Sequence, residues 1–167
     1  MQKEKIWGYL TLSLAVLAFI ALFLPQFRIT IQEGGDALIY FWGGHAKVGA
    51  TVPASLYLIA LGWAILGVAA LGWAVFLVRR KDRRTIAWLN WAAFFIAMQL
   101  VFLLTAAEEI LTDLRVQELH ADSLAQAGSW IAFGVMVILL FLPGRVKKSL
   151  FATDPSLGRN PSSPASS

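Results

Sequence analysis

The chain has 167 residues, of which 58% are hydrophobic and 14% charged, with a mean hydropathy of +0.67. The charges gather between blocks that are apolar all round, a pattern that excludes a water-soluble globular domain. Cysteine is absent, which excludes disulfides, thiolate metal sites and thiol redox chemistry; the net charge of +4 and pI near 9.7 lack the clustered footprint of a nucleic-acid binder.

The first apolar stretch, residues 6–24, holds 19 residues. At helical rise it reaches roughly 28 Å, close to the hydrocarbon thickness of a bilayer. Lys3 and Lys5 precede it, as they would a secretory signal. The stretch outruns a signal's apolar core, however, and Phe23-Leu24-Pro25-Gln26 contains no small-residue cleavage site. It reads as an uncleaved signal anchor that joins a helical bundle and stops at Pro25.

A polar segment follows. Phe27-Arg28-Ile29-Thr30-Ile31-Gln32 alternates with period two, Glu33-Gly34-Gly35-Asp36 supplies a turn, and Ala37-Leu38-Ile39-Tyr40-Phe41-Trp42 returns. The pattern predicts a β-hairpin, which in isolation is marginal in water and is therefore expected to rest on the outer rim of the bundle. Tyr40, Phe41 and Trp42 are expected at headgroup level. Gly43-Gly44 and Gly49 give a flexible return to Pro53, placed for the first turn of the next helix.

Residues 55–78 form the second span, 24 residues without a charge. Leu61-Gly62-Trp63-Ala64 recurs ten residues later as Leu71-Gly72-Trp73-Ala74, close to three helical turns. Gly62 and Gly72 thus share one face, and Trp63 and Trp73 another. Ala60, Ala64, Gly67 and Ala70 widen the small face, so Gly62, Gly67 and Gly72 are the candidate helix-packing residues. Packing within the chain is the expected use of that face, and contact with a second subunit is the alternative.

Next comes a basic clamp, Arg79-Arg80-Lys81-Asp82-Arg83-Arg84, and then the third span, residues 85–107, 23 residues again without a charge. A short cationic turn between two such stretches marks the cytoplasmic side of a membrane. Trp88 and Trp91 lie near that interface. The helix is expected to run beyond the membrane, with Ile110, Leu111, Leu114 and Leu119 on an apolar side and Glu108, Glu109, Asp113 and Glu118 turned to solvent. Gln99, near mid-span, is the candidate interhelical hydrogen-bond tie; Asn90 projects from roughly the opposite face.

Asp122-Ser123 or Gly128-Ser129 offers a start for the last helix. Its span, residues 127–142, is the shortest at 16 residues, roughly 24 Å. Arg145, Lys147 and Lys148 follow at once and argue for a full crossing. Residues 1–150 therefore read as one all-α membrane domain, a four-transmembrane-helix bundle with a small extracytoplasmic β-hairpin in the first loop. Residues 151–167, rich in Pro and Ser, read as a disordered cytoplasmic tail.

With both termini inside, eleven of the fourteen cations are cytoplasmic, and Arg28, Lys47 and Arg115 are outside. The spans contain no ionisable residue, which argues against a proton-coupled transporter. His45, His120, Asp122 and the acids of the third helix lack metal-ligand spacing and read as a solvated face. No nucleophile, phosphate-loop or dinucleotide motif occurs, so no catalytic residue, metal or cofactor is expected. Arg79, Arg80, Lys81, Arg83 and Arg84 are candidate contacts for anionic lipid headgroups. The partners expected are membrane lipids and a protein partner or second copy docking on the outer loops, with no nucleic acid.

The order of parts resembles a bacterial four-span family, domain of unknown function 4293. The similarity lies in the short basic N-terminus, Leu22-Phe23-Leu24-Pro25, the hairpin-like loop, Arg84-Thr85-Ile86-Ala87-Trp88-Leu89-Asn90 after the clamp, and the basic segment after the last helix. It covers most of residues 1–150, and the Pro/Ser tail and acidic outer helix depart from it. The resemblance implies a multi-pass protein of the bacterial inner membrane and carries no assigned activity or site residue. Claudin-like four-span proteins share only the architecture of a hairpin in loop one and a long third helix; their paired loop cysteines are absent here.

Overall fold

The computed structural model describes residues 2–31, 35–41, 43–45, 54–116 and 120–151. Outside them lie Glu33-Gly34, Trp42, Lys47, Gly49, Pro53, Glu118, Leu119 and the tail from residue 152. The elements in order are α1 (Gln2–Ala21), β1 (Phe27–Ile31), β2 (Gly35–Tyr40), β3 (Gly43–His45), α2 (Ala54–Arg79), α3 (Arg84–Val116), β4 (Ala121–Ala125) and α4 (Ala127–Val146), closed by a π-helical turn, Lys147–Phe151. Three of these helical segments are long and apolar enough to cross a membrane: Leu56–Arg79, Arg84–Val116 and Ala127–Leu150.

The first and last helices are equally long, 20 residues each, where 19 and 16 were expected for their spans. α1 ends at Ala21, three residues before Leu24. Leu22, Phe23 and Leu24 donate to the carbonyls of Phe19, Ile20 and Ala21, three residues back, so the last turn tightens ahead of Pro25. The last helix is longer than the 16 residues expected. It starts at Ala127, as Gly128-Ser129 suggested, and continues through Pro143. Leu142, Pro143 and Val146 are buried, and the Trp7 indole donates to Ser149 Oγ at 2.9 Å, so packing against α1 carries the helix past its proline.

The hairpin is larger than expected. β1 pairs antiparallel with β2 from Phe27↔Ile39 to Ile31↔Gly35, and with β4 from Phe27↔Ala125 to Ile31↔Ala121. With β3 the sheet has four strands in the order β3-β2-β1-β4. Asp122-Ser123, expected at a helix start, lies in the edge strand β4.

Two hydrophobic cores stack along the bundle. One, beneath the sheet, joins Phe27, Ile29, Ile39, Phe41 and Tyr57 to Ala60, Ala64, Leu103 and Ile110. Phe41, 1% exposed, belongs to this core and not to a headgroup layer, because the sheet folds it down onto α2 and α3. The other core, toward the clamp, joins Leu14, Leu71, Leu89, Ile96, Leu139 and Val146.

Helices α2 and α3 meet across the small face. Ala60, Ala64 and Ala70 are buried, and a Cβ on Gly67 would stand 2.9 Å from Ile96 Cγ1. Gly62 and Gly72 are turned outward with nothing within 4 Å of such a Cβ. The ten-residue repeat falls short of three full turns and is interrupted by the buried Gly67 side, so these two glycines are not packing residues within the chain. Trp63 rests on Phe94 and Phe95 at centroid distances of 6.0 and 5.8 Å, and Trp73 on Trp88 at 6.3 Å. α3 runs to Val116, some 33 residues, and carries Glu108 and Glu109 exposed beyond its apolar part.

Candidate functional site

The two ends of the bundle hold every polar arrangement of note. At the clamp end the six basic-turn residues have distinct structural jobs. Lys81 adopts φ 55°, Asp82 N–H donates to Leu77 O and Lys81 N–H to Val78 O, each at 3.1 Å. That is a Schellman stop, with lysine where glycine is usual. Asp82 then caps α3: its Oδ1 accepts from Arg84 N–H at 2.9 Å, and its carbonyl from Thr85 N–H and Thr85 Oγ. The one acid of the clamp therefore starts a helix. The Arg80 guanidinium lies 4.1 Å over the Phe76 ring, and Arg79, Lys81, Arg83 and Arg84 are exposed.

At the opposite end, side chains alternate across the sheet. Phe27, Ile29, Ala37 and Ile39 point into the core. The outer face carries two rows set by the register: Leu38, Arg28 and Leu124 in one, Asp36, Thr30 and Asp122 in the next. Arg28 forms an ion pair with Asp36. The Arg28 hydrogen bond, and after it that of Thr30, holds the Asp36 carboxyl below the ordinary carboxylate range. A flat surface results, with a neutralised centre, two exposed leucines at its flanks and one further acid.

This surface is anchored by a residue that charge and motif reading passed over. Gln26 is fully buried, and its Nε2 donates to Ala21 O at 2.7 Å and Leu24 O at 2.9 Å, closing carbonyls left open by α1. Its main chain donates to Ile39 O at 2.7 Å and accepts from Gln126 N–H at 2.9 Å and Ser129 Oγ at 2.8 Å. Gly128 allows this approach: a Cβ there would stand 2.3 Å from Gln26 Nε2. One residue thus joins the end of α1, through its side chain, to β2 and the start of α4, through its main chain. The available signal was a polar residue next to the stopping Pro25.

β4 is an edge strand. Gln126 N–H pairs with Gln26 O, and in an antiparallel ladder this turns the main-chain groups of Ala121, Ser123 and Ala125 to the outside. The Trp130 indole takes the Ala125 carbonyl at 3.2 Å, in keeping with that parity. Below the edge, α3 and α4 part to leave an open apolar groove of about 430 Å³ lined by Phe27, Leu104, Trp130, Phe133 and Met136 among others.

The remaining candidates are scattered. Gln99 is buried at 3% exposure but makes no interhelical hydrogen bond among the described residues, so the expected tie is not there; Gln26 supplies the ties instead. Asn90 is exposed, on another face from Gln99. His120 and Asp122 are exposed, and among the described residues no three His, Asp or Glu converge. The Tyr57 hydroxyl is buried beneath the sheet with no hydrogen-bond partner among the described residues. The arrangement suits binding at a surface. Comparison with protein-family models, with curated proteins and with solved structures returns no match.

Proposed function

We propose that the chain is a four-helix protein of the bacterial inner membrane, with both termini cytoplasmic. On this reading it is a non-enzymatic structural or accessory subunit that binds a protein partner through its outer sheet. The observation that carries the reading is the sheet itself. Strands from two separate loops are sewn together over a dedicated core, and they present Leu38, Arg28 and Leu124 beside an open strand edge. Exposed apolar side chains at a strand edge invite strand addition by a partner. Orientation rests on the basic clamp and the cations after α4, which lie at the end opposite the sheet.

A photocrosslinking residue at Leu124, in native membranes, tests this. One discrete adduct should form and be lost when Leu38→Glu is added to a variant that still folds. Recovery of monomer alone, with no phenotype when β1 and β2 are replaced by a short linker, would sink the reading. A cysteine scan that labels residues 79–84 from outside would overturn the orientation.

A second reading, an oligomeric transporter or channel component, is favoured by one feature. Gly62, Ala69 and Gly72 form an outward small-residue stripe on α2, open to a second copy. Unchanged oligomers in the double variant Gly62→Leu, Gly72→Leu would remove it.

A further inference from the structure

At the clamp end, α1 and α2 separate around Gly8. Gly8 is buried, yet a Cβ built on it meets no atom within 4 Å. Its backbone forms the floor of a cleft of about 240 Å³ lined by Lys5, Gly8, Tyr9 and Arg79. Lys5 comes from the start of α1 and Arg79 from the end of α2. Among the described residues no carboxylate lines the cleft, and neither cation has an ion-pair partner.

Two like charges brought to one cleft repel each other, and an anion between them replaces that repulsion with two attractions. The exposed Tyr9 phenol at the rim adds a hydroxyl donor. Ile6 and Leu10, neighbours of these residues on α1, are exposed apolar side chains. A free phosphate has no use for them, whereas the acyl chains of a lipid do.

We propose that the cleft binds the phosphate of an anionic phospholipid, with Lys5 and Arg79 as paired cations and Tyr9 donating a hydrogen bond. The site rests on the membrane reading only in requiring a bilayer. It differs from diffuse attraction to the clamp in having two helices, one floor and a stoichiometry of one.

The full chain in detergent is titrated with phosphatidylglycerol, phosphatidylcholine or inorganic phosphate, and lipid retention is read by native mass spectrometry. One phosphatidylglycerol should be retained over phosphatidylcholine. Retention should fall roughly fivefold for Lys5→Gln and again for Arg79→Gln. Gly8→Leu, which fills the cleft and leaves the charges in place, should abolish the preference, and Arg145→Gln at the same end should not. Equal losses from Arg145→Gln and Lys5→Gln would overturn the site in favour of diffuse electrostatics. Equal protection by inorganic phosphate would overturn the lipid assignment in favour of a soluble phosphoryl group. Membrane integration is measured on the same preparations: integrated protein without lipid preference overturns the site alone, and protein that does not integrate overturns the membrane reading with it.

Discussion

Both ends of this bundle must turn the chain around, and they do so by opposite means. At the clamp end, α2 stops and α3 starts within six residues, through hydrogen bonds among near neighbours in sequence. At the sheet end, β1 is held on one side by β2 and on the other by β4, and Ser129 reaches a carbonyl 103 residues away. The clamp turn is a local device, whereas the sheet exists only once distant segments have met. Substitutions at the clamp should therefore have contained effects, while those at the sheet seam should spread.

The largest effect is expected at Gln26. Gln26→Leu keeps the volume but removes the Nε2 donor from Leu24 O and from Ala21 O, which keeps only the long bond from Leu24 N–H, costing about 1–3 kcal/mol in all. Gly128→Val should produce a comparable loss by displacing the Gln26 amide from the other side. Denaturant unfolding of the purified protein in micelles measures both. A loss confined to β4, with α1 and α4 unaffected, would break the contrast between the two ends.

What was legible follows the same division. The clamp, the apolar spans and the alternation of Phe27 to Ile31 are carried by neighbouring residues, and those features were readable. The partner of β1 on its other side was not, because Ala121-Asp122-Ser123-Leu124-Ala125 has weak strand character and is recruited by the ladder it completes. Gln26 looked like loop polarity, since its donors and acceptors sit on α1, β2 and α4. The ends of α1 and α4 are hidden for a related reason. Pro25 and Pro143 are local stop signals, but a tightened turn ends one helix ahead of its proline and packing against α1 carries the other past it.

Three glycines on α2 should respond differently to the same change. Gly67→Leu drives a side chain into Ile96 and should cost about 1–3 kcal/mol, because α2 and α3 must separate. Gly62→Leu and Gly72→Leu meet open space and should leave monomer unfolding unchanged. Equal destabilisation by all three would mean that the outward face of α2 is packed, as in a second copy. Smaller effects belong to the clamp. Asp82→Ala removes the α3 cap at about 1 kcal/mol. Lys81→Gly relieves the positive φ and should stabilise the turn by up to about 1 kcal/mol.

The smallest effect is the pH dependence of the outer face. Asp36 titrates below its ordinary value of 3.8 because Arg28, and then Thr30, hydrogen-bond its carboxylate. A depressed acid contributes stability that is present above its unfolded pKa and lost as pH falls through the folded one. The window is therefore acidic, below about pH 4. Both partners of the pair are about half exposed, at 48% and 43%, so water and salt screen it. Asp36→Asn should flatten the acid limb of the unfolding profile slightly and leave neutral pH nearly untouched. Added salt should flatten the wild-type limb in the same way. A loss of stability at neutral pH as large as that of Gln26→Leu would show that the exposed ion pair contributes as much to the fold as the buried Gln26 side chain.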